Sequence, residues 1–187
     1  DPERLNWINA TYLANMDNQT FAKTVLIPEL VGAGLEPVQD NATDADEIYA
    51  TRPSWYDLLS EILRPRTTVS PDVIEKSRFL YEGANVTLDQ KSVEKGLTKD
   101  AAQSATVLAA AKTALEGVSE DEWKAAAIDA ALEVLPEQLD LKKRVVFQSI
   151  RVAECGNMVS PPLGESMELL GREVCLARLE RALELCK

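Results

Sequence analysis

The residues best suited to chemistry lie in the last third of the chain, where an arginine, a proline-rich loop and a helix start follow one another. Arg151 is followed by Ser160-Pro161-Pro162-Leu163 and then by Leu169-Leu170-Gly171-Arg172-Glu173. A guanidinium fixed beside a stiff loop can bind a flat polar ring, such as a nucleobase, through hydrogen bonds and stacking. These residues therefore predict a binding pocket.

Residues typical of catalysis are missing. The chain has no histidine, and it contains no Walker A, G-x-S-x-G or G-x-G-x-x-G motif. The acidic cluster Glu120-Asp121-Glu122 lies at a predicted helix start, where carboxylates complement the helix dipole. Cys155, Cys175 and Cys186 lack C-x-x-C spacing, so we expect reduced, packed thiols rather than a metal site or disulfides. The sequence thus predicts no catalytic residue and no cofactor in this segment.

The composition favours helices. Aromatic residues make up only 5% of the 187 residues, so alanine- and leucine-rich runs must supply the core. The formal net charge of −11 argues against a nucleic acid attracted by bulk charge. Local basic clusters can still act, because salt screens charges beyond about 10 Å. The chain shows no signal peptide or membrane span, which predicts the cytoplasm, and its start at Asp1 without methionine suggests a piece of a longer protein.

Helix start and stop signals recur along the chain, and no segment has the two-residue period of a strand. Helices are predicted from Pro2 to about Met16 and, after a start at Asp17 or Asn18, from Phe21 to Val31 with a kink at Pro28. Further helices are predicted from Trp55 to Leu63 after a Ser54 cap, from Ser70 onward, from Thr98 to about Glu116, and from Trp123 to Leu135 after a capping box at Ser119. The last three are predicted from Leu141 to Ala153 after an Asp140 cap, from about Leu163 to Leu170, and from Arg172 to the end. Residues 37–46 are predicted to form a loop. The fold prediction is all-α, in two helical lobes.

Four motifs together resemble one family. They are Leu5 to Tyr12, Leu63-Arg64-Pro65-Arg66, Arg78-Phe79-Leu80-Tyr81, and the arginine, proline loop and L-L-G-R-E helix start described above. They resemble the carboxy-terminal region of bacterial glutamyl-tRNA synthetase of the discriminating type, which is an all-helical anticodon-binding cage. The resemblance spans nearly the whole chain. It implies the end of a stem-contact region at 1–16, a first anticodon-binding lobe at 17–84 and a second at 85–187.

The resemblance also implies roles for individual residues. Arg66 would read the third anticodon base, which is C in glutamate tRNAs and G in glutamine tRNAs. Cytosine offers N3 and O2 as adjacent acceptors to a guanidinium, whereas guanine presents two N–H donors. Residues expected to line the pocket for the other bases are Arg151, Ser160, Pro161 and Leu163. Independently of the resemblance, the local clusters of basic residues make Arg64, Lys142, Lys143 and Arg144 candidate phosphate contacts.

Structural explanations remain open for several of these residues. Arg64 and Arg66 could cap the end of a helix, and Arg151 could form an ion pair at the edge of the core. Trp7 and Tyr12 are expected in the core. Gly164 stands where the family often has an aromatic residue, which predicts that stacking is weaker there or is supplied from elsewhere.

The resemblance implies a glutamate tRNA as partner and a covalently joined catalytic domain that uses ATP and magnesium. It further implies a monomer without a membrane or DNA partner. The alternative is an acidic, all-helical module for protein–protein interaction without a nucleic-acid role, which the net charge favours. A truncated synthetase paralogue that modifies a tRNA base is disfavoured, because proteins resembling it lack this helical region.

Overall fold

A computed structural model describes all residues, 1–187, and they form helices, turns and loops without a β-strand. The prediction of an all-α fold is therefore confirmed. The chain divides into two compact units, Asp1–Tyr81 and Glu82–Lys187, each with its own buried apolar residues. None of the helices combines the length and the hydrophobicity that crossing a bilayer requires.

The first unit consists of short helical segments. In chain order they are α1 (Pro2–Ala14), α2 (Asn18–Phe21), a π-helical turn (Ala22–Leu26), α3 (Ile27–Gly32), α4 (Ala45–Thr51), α5 (Pro53–Leu63), a 3₁₀ turn (Arg64–Arg66), α6 (Asp72–Ser77) and a second 3₁₀ turn (Arg78–Tyr81). At Pro28, where the sequence predicts a kink, the hydrogen bonding widens to a π-helical turn just before the proline. Proline has no N–H to donate, so this widening lets the helix continue across it.

Helix α1 does not bury its aromatic residues within this chain. Trp7 is 68% exposed and Tyr12 is 66% exposed, so the prediction that both lie in the core was wrong. The only residue of α1 that is buried is Leu13, near its end. The physical reason is that α1 packs mainly against the 3₁₀ turn that follows α5, which leaves most of the helix surface uncovered.

A buried carboxylate organises the second half of the first unit. Glu36 is 3% exposed, and its Oε2 accepts hydrogen bonds from the Tyr56 hydroxyl at 2.6 Å and the Arg52 guanidinium at 3.2 Å. The Tyr81 hydroxyl donates to the same oxygen at 3.4 Å. A buried charge is tolerated when it is paired and hydrogen-bonded in this way. Burial, with the neighbouring carboxylate, raises the pKa of Tyr56 to about 12.

This cluster predicts a loss of stability in alkali. The folded pKa of Tyr56 lies above the ordinary tyrosine value of 10.0, so the neutral phenol stabilises the fold below that pH and the contribution is lost as pH rises towards 12. We expect the free energy of unfolding to fall more steeply above about pH 10 in the wild type than in Tyr56→Phe. Urea unfolding of both proteins at about pH 8 and about pH 10.5 measures the difference. Parallel losses in the two proteins would contradict the prediction.

The second unit contains the longer helices. They are α7 (Gln90–Val93), a π-helical turn (Glu94–Thr98), α8 (Ala101–Glu116), α9 (Ala125–Glu133), α10 (Leu135–Leu139), α11 (Lys143–Cys155), α12 (Leu163–Leu170) and α13 (Arg172–Leu185). Helix α13 packs against α8 and α11, and α12 packs against α9. The three cysteines are free and buried in this unit, which confirms the prediction of packed thiols.

Several predicted helix starts were wrong. Ser54 lies inside α5, which begins at Pro53, and Ser119 caps no helix, because α9 begins only at Ala125. Asp140 adopts a left-handed conformation with φ of 51° and ends α10 instead of capping α11. The sequence analysis also missed α4, which Asp44 opens through a capping box with Glu47. Polar residues that suit a cap also suit turns, so local spacing alone did not separate the two.

Candidate nucleic-acid interface

Arg66 lies on the exposed 3₁₀ turn after α5, and the protein uses part of its guanidinium. Nη1 of Arg66 donates to the carbonyl of Ile62 at 2.7 Å, which satisfies a free carbonyl at the end of α5. This is the capping role that the sequence left open. Nε and Nη2 have no partner in the protein, so the guanidinium retains two groups of donors for a ligand.

Arg64 is held far more tightly than Arg66. Its Nη1 donates to the carbonyls of Ala14 and Met16 at 2.9 and 2.7 Å. Its Nε and Nη2 donate to Asn18 Oδ1 at 3.0 and 2.7 Å. These bonds join the 3₁₀ turn to the end of α1 and the start of α2, so Arg64 positions the segment that carries Arg66. A phosphate contact by Arg64 stays a prediction.

The loop after α11 turns sharply at Gly156, which has φ of 77°. A Cβ atom at this position would lie 2.0 Å from the carbonyl oxygen of Thr87, so only glycine fits. The carbonyl of Gly156 accepts a hydrogen bond from the amide of Asp89 at 2.8 Å. The amide of Met158 donates to Ser92 Oγ at 3.1 Å. The loop is therefore anchored to the start of α7.

Arg151, Ser160 and Pro161 are in direct contact, as the predicted pocket required. Nη1 of Arg151 donates to Ser160 Oγ and, at 3.0 Å, to the carbonyl of Pro161. The Ser160 hydroxyl donates its proton to the same carbonyl at 2.7 Å. Arg151 forms no ion pair, and its Nε and Nη2 have no partner in the protein. The closed set of hydrogen bonds stiffens the loop and leaves part of the guanidinium free.

Pro161 and Leu163 offer little surface to a ligand. Pro161 is buried, and Leu163 is only 6% exposed at the start of α12. Most of their apolar surface packs inside the second unit. Only the exposed edges of these two side chains are therefore available to an unstacked base. Their roles in base binding stay predictions.

A groove of about 370 Å³ lies beside Arg151 in the second unit. Its lining residues come from α9, α11 and the start of α12, and they are Asp129, Glu133, Lys143, Arg144, Phe147, Arg151, Pro162, Leu163, Gly164 and Glu165. Gly164 faces Asp129 so closely that an added Cβ would lie 2.3 Å from the carboxylate oxygen Oδ1. The aromatic residue expected near Gly164 is thus replaced by a carboxylate from α9.

Phe147 is a groove residue that the sequence analysis missed. It lies on α11 four residues before Arg151, and the Lys143 ammonium is 5.6 Å from the centroid of its ring. Residues four apart share one face of a helix, so the spacing of Lys143, Phe147 and Arg151 was the signal that could have identified it. The groove therefore has an aromatic side chain, although not at the expected position.

The predicted phosphate contacts at the start of α11 differ in whether their side chains already form an ion pair. Lys143 forms an ion pair with Glu133 at 3.0 Å, whereas Lys142 and Arg144 are exposed and have no ion-pair partner in the structure. Backbone N–H groups at the start of this 13-residue helix add positive potential. Lys142 and Arg144 are therefore the better placed of the three for a phosphate.

A sequence model of the anticodon binding domain family matches residues 27–183. Glutamate–tRNA ligase from Saccharopolyspora erythraea is 38% identical to this chain over 98% of the chain and 34% of the relative. Glutamate–tRNA ligase from Mycolicibacterium vanbaalenii is 45% identical over 96% of the chain and 33% of the relative. The chain therefore spans about a third of the length of these curated relatives.

A solved structure with the same fold is a glutamate tRNA ligase from Elizabethkingia meningosepticum, described in complex with its amino acid. The two structures superpose with a TM-score of 0.79 at 20% sequence identity, over 100% of this chain and 33% of that one. At this identity the superposition supports the fold, whereas the sequence relatives support the family.

Proposed function

Because the chain belongs to the anticodon binding domain family, we propose that it recognises the anticodon of a tRNA for glutamate on behalf of a glutamate–tRNA ligase. The match of the family over residues 27–183 carries this proposal, and the named relatives supply the amino acid. The two units contribute separate sets of residues, which are Arg66 in the first unit and Arg151, Ser160, Pro161 and Leu163 in the second.

In the first unit, Arg66 would read the third anticodon base. Its bond to Ile62 fixes one end of the guanidinium, while Nε and Nη2 remain free to donate to N3 and O2 of cytosine. Guanine at the same place would turn its N1–H and N2–H donors towards a cation. Unpaired donors cost about 1–3 kcal/mol. This mechanism gives a preference for glutamate tRNA over glutamine tRNA.

In the second unit, the stiffened loop would hold Arg151 in place for another anticodon base. The free Nε and Nη2 of Arg151 can donate to carbonyl or ring-nitrogen acceptors on a base edge. Lys142 and Arg144 would contact the phosphates that flank the base. The Ser160 hydroxyl donates its hydrogen bond to the carbonyl of Pro161, so towards a ligand it can act only as an acceptor. Its main role would therefore be to fix the position of Arg151.

The catalytic steps would belong to the rest of the parent protein. That part would attach glutamate to the tRNA with ATP and magnesium, in the cytoplasm and as a monomer. This chain spans about a third of its curated relatives, and ATP and magnesium would bind in the remainder of the parent. The contribution of this chain is selection of the tRNA.

Replacing Arg66 by glutamine in the full-length parent should weaken discrimination between the two tRNAs. We expect the ratio of kcat/KM for glutamate tRNA over glutamine tRNA to fall about tenfold to a hundredfold, since the change removes the cation opposed to guanine. Aminoacylation of both tRNAs measures the ratio. Arg78→Gln is the matched control, because Arg78 is a surface arginine of the same unit paired with Glu75. An unchanged ratio in Arg66→Gln would refute the assigned role.

The acidic charge leaves one alternative to test, an interaction module without a nucleic-acid role. Titration of the chain with tRNA at low and high salt separates the two functions. Anticodon binding predicts an affinity that falls steeply with salt, because each phosphate contact adds about 0.7–0.9 to the log–log slope. Absence of tRNA binding by the full-length parent would favour the interaction module.

A further inference from the structure

The groove of the second unit contains an aromatic ring that is not fully buried in the core. Phe21 and Phe79 are buried, at 0% and 9% exposure, whereas Phe147 is only half-buried and lines the groove. Its ring makes no ring–ring contact, and the Lys143 ammonium lies 5.6 Å from its centroid. A partly exposed ring in a groove beside a free guanidinium is the arrangement on which an unstacked base can lie.

Asp129 enters the same groove from α9. Its carboxylate lies against Gly164, where an added Cβ would come within 2.3 Å of Oδ1 and 2.7 Å of Oδ2. Glycine at 164 leaves room for this carboxylate, which a larger residue would displace. Asp129 has no hydrogen-bond or ion-pair partner in the protein, so both of its oxygens can accept from a ligand. Partial burial and the nearby Glu165 and Glu133 raise its pKa.

The charges around Asp129 restrict what the groove can hold. Glu133 and Glu165 line the groove near Asp129, and a phosphate group placed against Asp129 would be repelled by all three carboxylates. A neutral base carries no such penalty, and an amino group on its edge is a donor for a carboxylate. Uracil has no amino group and can offer Asp129 only its N3–H, which is flanked on both sides by carbonyl oxygens of like partial charge. The surroundings thus favour an amino-bearing base over uracil.

We propose that this groove binds one unstacked nucleobase of the tRNA, with Phe147 as the stacking surface and Asp129 as the acceptor for the exocyclic amino group of the base. The free donors of Arg151 lie on the same helix as Phe147, one turn further along, and complete the set of contacts. The inference rests on the proposed anticodon-binding function, and it adds two residues that read the base by stacking and by amino-group recognition.

The stacking contact is tested with the whole chain and an RNA hairpin that carries the anticodon loop of a glutamate tRNA. Phe147→Leu keeps an apolar side chain but removes the ring face, and we expect it to weaken binding about 5- to 100-fold in fluorescence anisotropy titrations. Phe147→Trp keeps a ring and should restore binding to within a few-fold. The tryptophan variant also covers the case in which the leucine variant fails to fold.

The amino-group contact is tested with hairpins in which each anticodon base in turn is cytosine, adenine, guanine or uracil. At one position the wild type should prefer the amino-bearing bases over uracil by about tenfold, since a mispaired edge leaves buried groups unsatisfied. Asp129→Asn should abolish that preference, because the amide can donate to a uracil carbonyl. Gly164→Ala should reduce it too, by displacing the carboxylate. Asp121→Asn, an exposed acid that precedes α9 and does not line the groove, is the control of equal charge change and should retain it.

Three outcomes are decisive. If the wild type binds the hairpin and Phe147→Leu binds equally well, the stacking role is overturned while the proposed function stands. Retention of the base preference by Asp129→Asn overturns the amino-group role in the same way. Failure of the wild type to bind any hairpin would overturn the proposed function and this inference together, and the salt titration with tRNA would then show the same absence of binding.

Discussion

Replacing Gly156 by alanine should destabilise the second unit by about 3 kcal/mol or more. The residue has φ of 77°, which costs an L-residue about 1–2 kcal/mol. Its new Cβ would also lie 2.0 Å from the backbone oxygen of Thr87, and a backbone oxygen cannot move aside as the end of a flexible side chain can. Relief of the clash would stretch the bond from the Asp89 amide to the Gly156 carbonyl, now 2.8 Å. Urea unfolding followed by circular dichroism measures the change.

Two other glycines provide matched controls for this effect. Gly32 is the last residue of α3 and has nothing within 4 Å of an added Cβ, so alanine there should be neutral or stabilise the protein by up to about 1 kcal/mol. Gly34 has φ of 75° but open space around it, so alanine there should cost only the conformational strain of about 1–2 kcal/mol. Equal unfolding midpoints for Gly34→Ala and Gly156→Ala would contradict the steric part of the argument.

Local sequence signals located a helix well where residues at both of its ends favour a start and a stop. The predicted bounds Leu163–Leu170 are those of α12, which Pro162 precedes and Gly171 follows. The start of α9 was wrong because its first amide is bonded to a distant residue: the Ala125 N–H donates to Glu168 Oε1 at 2.8 Å. Such a long-range bond leaves no local pattern, whereas Ser119 and Glu122 have the spacing of a capping box and form only a turn.

The same difference between local sequence signals and long-range contacts applies to the candidate site. The contact of Arg151 with Ser160 and Pro161 was predictable because both residues lie on the loop that follows its helix, and the structure places them within hydrogen-bond distance. Phe147 was predictable from its spacing on the same helix and was missed. The approach of Asp129 to Gly164 was not predictable, because it depends on how α9 packs against α12. Sequence thus indicated the helix and loop that carry the site, and tertiary packing supplied the opposite side of the groove.

Replacing Arg178 by methionine should cost about 3–5 kcal/mol, the range found when a buried charged group loses its partner. Arg178 is 1% exposed on α13, and its Nε donates to the carbonyl of Gly83 at 2.7 Å. Its Nη1 donates to the carbonyl of Glu154 at 2.5 Å. Methionine fills similar volume but leaves both carbonyls without these donors. Thermal and urea unfolding measure the loss, and a cost below about 1 kcal/mol would show that water or other groups replace the guanidinium.

In contrast to Arg178→Met, Glu154→Gln should raise the free energy of unfolding, although Glu154 contacts the same arginine. Neither oxygen of the fully buried Glu154 carboxyl has a hydrogen-bond partner of good geometry. Burial raises its pKa well above the ordinary value, with Arg178 and the nearby Cys175 thiol acting against the shift. A raised folded pKa means that the protonated carboxyl stabilises the fold below pH 4.5 and that this contribution is lost as pH rises. Glutamine has the same shape without the proton equilibrium, so its stability relative to the wild type should increase between about pH 5 and about pH 8. An equal difference in unfolding free energy at the two pH values would show that Glu154 does not titrate with folding, and the buried arginine would then have to be explained as one half of a permanent ion pair.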